Sequence, residues 1–145
     1  LIGVIMLFNA YILMYLGVKV GGARKKYGVD YPDMYADVKS AKNKKNANIF
    51  NCIQRAHQNS LEQQPMFLTV SALASQKYPL VAGVAGFVVC IGRLAYAAGY
   101  STGDPKKRSA GFFGYFGLLA LLGCSWLVCF EQLGFDTNVI GKLIK

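Results

Sequence analysis

Six polar residues between positions 48 and 62 are spaced so that a single helix face would carry all of them. On a helix that turns by about 100° per residue, they fall within an arc roughly 100° wide. The stripe consists of Asn48, Asn51, Arg55, Gln58, Asn59 and Glu62. His57 lies well outside this arc. Ionisable groups inside a membrane segment are rare and usually face a protein interior, a cavity or a binding site, so the stripe favours a binding site over packing alone.

A second polar set follows in a later apolar segment. Arg93, Tyr96 and Tyr100 are spaced i, i+3 and i+7 and share one helix face. Arg93 needs a counter-charge, and Glu62 is the predicted partner in an ion pair that could be purely structural. Tyr96 and Tyr100 fit either an aromatic belt at the membrane interface or a binding site, and their spacing alone does not decide between the two.

Three arginines, Arg24, Arg55 and Arg108, are predicted to lie at the same membrane face. Taken singly, Arg24 fits a topology signal beside lipid head groups and Arg108 a snorkelling residue. Together they form a cationic rim that could bind carboxylates by bidentate contacts or stabilise a thiolate. Lowering a thiol pKa by about two units requires roughly 2.7 kcal/mol. We therefore expect a pocket for a small zwitterionic or anionic ligand.

Other site chemistries find little support in the sequence. The chain contains a single His and few acidic residues, so it forms neither a Ser-His-Asp set nor a usual metal site. No metal is expected.

The elements that position these residues are predicted to be membrane-spanning helices. Of the 145 residues, 54 % are hydrophobic and 16 % charged, against roughly 25 % charged in a typical soluble domain. The predicted spans are about 1–19, 48–75, 78–100 and 108–131. Each approaches or exceeds the roughly 20 residues that cross a bilayer, and Pro65 is expected to kink the second. The predicted fold is all-α, an integral membrane four-helix bundle in a single domain over residues 1–145.

The distribution of basic residues predicts the orientation. The net charge is +9, and the basic residues concentrate in the first loop, 19–47, and in the third loop, at 106–108. The opposite side carries only Lys77, Lys142 and Lys145. The positive-inside rule therefore places both basic loops in the cytoplasm. No nucleic-acid partner is expected, because these charges flank spans instead of lining an exposed face.

The first apolar segment is predicted to be a retained span. It lacks the basic stretch and the cleavage signature of a secretory signal. Because the chain begins with Leu1, we expect some native N-terminal sequence to precede it.

The run 50–62, FNCIQRAHQNSLE, resembles the signature of the membrane-associated proteins in eicosanoid and glutathione metabolism. Further similar segments are 23–27 with Tyr31-Pro32 and Met34-Tyr35, Gly92-Arg93 with Tyr96 and Gly99-Tyr100, and 102–105 followed by Lys107-Arg108. The resemblance covers most of the chain and is closest to the microsomal glutathione S-transferase 3 branch.

The resemblance implies a homotrimer that binds glutathione as a co-substrate between subunits near the cytosolic face, in the endoplasmic reticulum or a mitochondrial membrane. By position in the motifs, the implied glutathione-binding residues are Arg24, Arg55, His57, Asn59, Glu62, Tyr96 and Tyr100. Arg108 is the implied catalytic residue, which stabilises the thiolate. Two departures matter: relatives that synthesise leukotriene C4 carry a tyrosine where Gln63 stands, and Arg108 aligns only with a one-residue gap that would otherwise place Lys107 there.

Two functions follow from the resemblance. The first is an enzyme that conjugates glutathione to hydrophobic electrophiles from the lipid, such as leukotriene A4, and reduces lipid hydroperoxides. The alternative is a non-catalytic binding or structural subunit of a larger membrane complex, since the family includes the arachidonate 5-lipoxygenase-activating protein. Retention of Arg55, Asn59, Glu62, Tyr100 and Arg108 together favours the enzyme.

Overall fold

The computed structural model describes residues 1–39 and 43–135, and over these residues all regular secondary structure is helical. The elements are α1 (Ile2–Tyr27), α2 (Lys44–Glu62), α3 (Gln64–Lys77), α4 (Pro79–Tyr100), a 3-10 helix (Pro105–Gly111) and α5 (Gly114–Gln132). The all-α prediction is confirmed for this part of the chain. Lys142, Lys145 and the C-terminal end of the predicted domain lie outside the described residues.

The first helix is longer than the predicted span 1–19. α1 continues to Tyr27, with Arg24 and its two neighbouring lysines in the last turn, where the helix dipole favours cations. Gly28 ends α1 in the left-handed conformation (φ 67°, ψ 46°), and its N–H donates to the carbonyl of Arg24. Glycine adopts this conformation without the steric cost of a Cβ. Arg24 therefore lies on a helix and projects from its end.

The predicted second span, 48–75, is divided into two helices. α2 begins after Asn43, whose side chain accepts a hydrogen bond from the N–H of Asn46. It ends at Glu62, Gln63 caps it, and α3 starts at once with Pro65 in its first turn. Proline has no N–H to continue the preceding helix, so the break falls where the kink was expected.

The predicted fourth span, 108–131, begins too early. The 3-10 helix occupies Pro105–Gly111, and α5 starts only at Gly114. The side chain of Asp104 accepts a hydrogen bond from the N–H of Lys106 at 3.0 Å and fixes the start of the 3-10 helix. Arg108 consequently lies on a separate short segment rather than at the start of the last membrane helix.

Three helices, α1, α4 and α5, are long and apolar enough to cross a membrane. Their outer faces expose large apolar side chains, including Leu7 and Tyr11 on α1 and Phe116, Leu119 and Trp126 on α5. Such a continuous apolar exterior suits lipid rather than water. The described residues thus provide three spans by length and composition, and the fourth, over α2 and α3, stays a prediction.

The core lies where α4 meets α1, α3 and α5. Phe67 of α3, Cys90 of α4 and Leu121 of α5 are fully buried there. At the crossing of α4 and α5 the backbones touch, because a Cβ on Gly92 would lie 2.6 Å from the Cα of Gly114. Small residues allow such close helix packing in membranes. This contact holds α4 and the start of α5 together beneath the 3-10 helix.

Candidate functional site

A cavity of about 680 Å³ lies between α2, the C-terminal end of α4, the 3-10 helix and the start of α5. Its volume falls in the range of about 300–1,000 Å³ that is usual for small-molecule sites. The polar residues on its walls include Arg55, Asn59, Tyr96, Tyr100, Lys106 and Arg108. We call this space the large cavity. Its walls carry three cationic side chains and, among the described residues, no carboxylate.

Two adjacent elements bring the aromatic and basic residues of the large cavity together. Tyr96 and Tyr100 lie one turn apart on α4, and their rings form an edge-to-face pair with centroids 5.5 Å apart. The 3-10 helix then carries Arg108 to the same cavity. Lys107 points its backbone carbonyl at Gly99 of α4 and is not a cavity residue. The local geometry thus distinguishes Arg108 from its neighbour, which the sequence left as an alternative.

Arg55 and Glu62, both predicted to hold the ligand, bind each other. Arg55 Nη1 lies 2.6 Å from Glu62 Oε1, and Nη2 lies 3.1 Å from Oε2. Their side chains are 41 % and 54 % exposed, so water screens the pair and its contribution to stability is small. Asn59 lies between them on α2 and accepts a hydrogen bond from Gln63 Nε2 at 3.1 Å.

The predicted ion pair between Arg93 and Glu62 is wrong. Arg93 Nη1 donates to the side-chain oxygens of Asn9 on α1 and of Gln64 on α3, and Asn9 Nδ2 donates to Gln64 Oε1 at 2.6 Å. The physical reason is the break between α2 and α3 at Gln63. Glu62 stays on α2 beside Arg55, whereas Gln64, the first residue of α3, turns toward α4. Arg93 is 6 % exposed and lies within the bundle.

The remaining polar residues of the α2 stripe hold loops rather than a ligand. Asn51 pairs with both backbone groups of Ala36, at 2.8 and 2.9 Å. Gln58 contacts Met34 and Tyr35. Asn48 Nδ2 donates to the carbonyl of Gly103 at 2.7 Å. Three of the six residues of the stripe therefore bind the loops that cover α2.

Arg24 and His57 lie outside the large cavity of this chain. Arg24 Nη1 donates to the carbonyl of Asp33 at 2.7 Å and to that of Asp30 at 3.4 Å. Its guanidinium also lies 4.4 Å from the ring centroid of Tyr31. His57 faces α1, since a Cβ on Gly17 would lie 3.6 Å from its Nε2. Arg24 thus holds the loop after α1, and His57 packs between α1 and α2.

The structure adds residues that were not expected in the site. Lys106 and Tyr115 line the large cavity. A smaller cavity of about 40 Å³ adjoins it and is lined by Arg93 and Gln63, among others. The run of basic residues at 106–108 was a sequence signal that could have identified Lys106. Tyr115 was missed because 108–131 was predicted as one helix, and such a helix does not place Tyr115 at the large cavity.

The fold and the site together define an all-helical membrane protein with a basic, tyrosine-lined cavity where its helices end. Comparison with protein families identifies it further. The model of the MAPEG family matches residues 2–128, and the chain belongs to this family. The family includes glutathione transferases and related enzymes.

Proposed function

We propose that this protein is a membrane glutathione S-transferase that also reduces lipid hydroperoxides, with the large cavity as its glutathione site. The observation that carries the proposal is that the Arg108 side chain lies at the large cavity without a hydrogen-bond or ion-pair partner among the described residues. Its charge is therefore available to an incoming anion.

The chemistry of the walls supports glutathione as the ligand. Glutathione carries two carboxylates, an amino group and a thiol. Arg55 and Lys106 offer cations for the carboxylates, and Glu62, next to the cavity, offers an anion for the amino group. Tyr96 and Tyr100 offer hydroxyl groups to the peptide backbone. The ion pair between Arg55 and Glu62 then opens, and each member exchanges its partner for a group of the ligand.

Arg108 is proposed to stabilise the glutathione thiolate. A thiol with a pKa of about 8.5 is only a few per cent ionised at neutral pH, and a nearby guanidinium favours the ionised form. The thiol proton leaves to solvent through the open side of the cavity. The sulfur then attacks an epoxide, an alkene or a peroxide that reaches the cavity from the membrane.

We further propose a homotrimer, closest in kind to microsomal glutathione S-transferase 3, in the endoplasmic reticulum or a mitochondrial membrane, with the basic loops in the cytosol. Glutathione would then lie between neighbouring subunits. This arrangement gives Arg24 and His57 a role, because each would face the cavity of an adjacent subunit instead of its own.

Ultraviolet difference absorption on adding glutathione to the detergent-solubilised protein tests the proposal, because a thiolate absorbs where a thiol does not. We expect a saturable thiolate signal near neutral pH that is lost in Arg108→Ala. Lys107→Ala is the matched control, since it removes a neighbouring cation outside the cavity and should keep the signal. Equal signals in both variants would remove Arg108 from the mechanism.

A non-catalytic binding or structural subunit of a larger membrane complex is the second candidate function. It is favoured by the direct pairing of Arg55 with Glu62, which satisfies both residues without a ligand. Isothermal titration with glutathione separates the two functions. Absence of binding to the unmodified protein would support the structural subunit, whereas binding that weakens in Arg55→Ala would support the enzyme.

A further inference from the structure

Arg93 is a buried guanidinium whose hydrogen-bond partners are all neutral. Its Nη1 donates to the side-chain oxygens of Asn9 and Gln64, and its Cζ lies 5.2 Å from the ring centroid of Phe67. No carboxylate within residues 1–39 and 43–135 forms an ion pair with it. Burying a charge without a counter-charge costs several kcal/mol. Arg93 thus holds a net positive charge inside the bundle, where it strongly favours an anion.

The small cavity gives such an anion a place. Arg93 lines it, and among the described residues both hydrogen bonds of its guanidinium to other side chains are made by Nη1 alone. The cavity measures about 40 Å³, whereas a single buried water needs roughly 10–15 Å³. It therefore has room for a group of a few atoms.

The small cavity adjoins the large cavity, so a group bound in one can react with a group bound in the other. Asn59, Tyr96 and Tyr115 line both cavities. The apolar side chains of Val89 and Leu118 also line the small cavity. A positive charge in such a partly apolar space interacts with an anion more strongly than it would in bulk water.

We propose that the small cavity is an oxyanion site, in which Arg93 stabilises the oxygen of an epoxide as its ring opens. This inference rests on the proposed transferase function and assigns to it a further catalytic residue. Arg108 in the large cavity holds the attacking sulfur, and Arg93 in the small cavity holds the oxygen that accepts the electrons.

The reaction balances without a further reactant. The thiolate sulfur forms a bond to one epoxide carbon, and the bond between that carbon and the oxygen breaks. The electron pair of the broken bond stays on the oxygen, which becomes an alkoxide beside Arg93 and remains attached to the other carbon. The alkoxide then takes a proton from solvent water, which replaces the proton that glutathione released, and the product is a hydroxy thioether.

Two acceptors of equal chain length distinguish this role from a purely structural one. A terminal alkyl epoxide yields a strongly basic alkoxide, whereas an alkyl bromide releases bromide, which needs neither a proton nor a strong positive field. We expect Arg93→Gln to lower turnover of the epoxide about 100-fold, as for loss of an oxyanion-hole donor, and turnover of the bromide by less than about threefold. The thiolate signal of bound glutathione should stay unchanged, and Arg93→Lys should restore part of the epoxide turnover.

Asn9→Asp keeps the test decisive if Arg93→Gln fails to fold. It changes the side chain little in size and gives Arg93 the carboxylate counter-charge that it lacks, while it removes the hydrogen bond that Asn9 Nδ2 donates to Gln64 Oε1. We expect a folded protein, checked by thermal unfolding, with a loss of turnover confined to the epoxide. A purely structural Arg93 predicts instead that both acceptors react as before.

The two ways of failing are distinguishable. If Arg93→Gln slows both acceptors equally, or if stable Asn9→Asp protein turns over the epoxide normally, the oxyanion role is overturned and the transferase function stands. If the unmodified protein conjugates neither acceptor, the proposed transferase function falls, and the role of Arg93 falls with it.

Discussion

Replacing Gly99 by alanine is expected to displace the 3-10 helix and misplace Arg108. A Cβ at this position of α4 would lie 2.1 Å from the carbonyl oxygen of Lys107 and 2.9 Å from its carbonyl carbon. Carbon and oxygen approach to about 3.3 Å in close contacts, so one of the two backbones must move by roughly 1.2 Å. Both are backbone atoms that cannot rotate aside, and the short 3-10 helix should yield before α4 does.

The size of the effect follows from that shift. Overpacking of this kind costs about 1–3 kcal/mol of stability. A misplacement of about 1 Å in a catalytic group can cost about 100-fold in rate. Arg108 follows Lys107 directly and moves with it, whereas Arg55 on α2 does not. Lys106, a proposed contact of a glutathione carboxylate, moves with the same 3-10 helix, so Gly99→Ala should also weaken glutathione binding moderately. At saturating glutathione it should give a much weaker thiolate signal and turn over about 100-fold more slowly.

Gly123→Ala is the matched control for this prediction. It is also a helix glycine, on α5, but a Cβ there meets nothing within 4 Å, and alanine favours a helix over glycine by about 1 kcal/mol. Thermal unfolding, thiolate absorption and turnover would be compared in the two variants. If Gly99→Ala matches Gly123→Ala in all three measurements, the contact between α4 and the 3-10 helix does not position Arg108.

Two further substitutions test the division of the α2 stripe. Glu62→Gln should lower glutathione affinity about tenfold, the effect of one lost charge-assisted hydrogen bond, and change the free energy of unfolding by less than about 1 kcal/mol. Titration calorimetry checks the affinity, and Glu131→Gln, which breaks a different surface ion pair, should leave it unchanged. Asn51→Ala removes two hydrogen bonds to the loop after α1, so amide exchange in residues 28–39 should accelerate about tenfold or more. Asn48→Ala should accelerate exchange in the loop before the 3-10 helix instead, and the same response from both variants would contradict the assignment.

Helical periodicity was sufficient to predict which face of α4 its two site tyrosines share. Tyr96 and Tyr100 were predicted on one face, and they line one cavity together because α4 is a single uninterrupted helix. Arg108 was placed beside them from its position after a short turn. It lines the same cavity as the two tyrosines, although its helix was assigned wrongly, because any compact connection between α4 and α5 must pass the end of α4.

Helical periodicity did not predict the hydrogen-bond partner of a side chain where that partner lies on another segment of the chain. The α2 stripe was predicted as one surface, yet Asn51 and Gln58 bind the loop after α1, whose path depends on contacts with Arg24 at the end of that helix. The partner of Arg93 was missed for a similar reason. Opposite charge favoured Glu62, but the break before Pro65 rotates Gln64 toward α4, and a neutral amide takes that place.

The four arginines of this chain's basic face and core differ in what neutralises them, and this difference ranks their proposed roles. Arg24 is held by backbone carbonyls and Arg55 by a carboxylate, so each has a partner to exchange or keep. Arg93 has only neutral amides, and Arg108 has no hydrogen-bond partner in the described chain. The two arginines with unneutralised charge therefore line adjoining cavities. A reaction that begins with one anion and ends with another is accelerated by a cation at each of two neighbouring points, and conjugation of a thiolate to an epoxide is such a reaction.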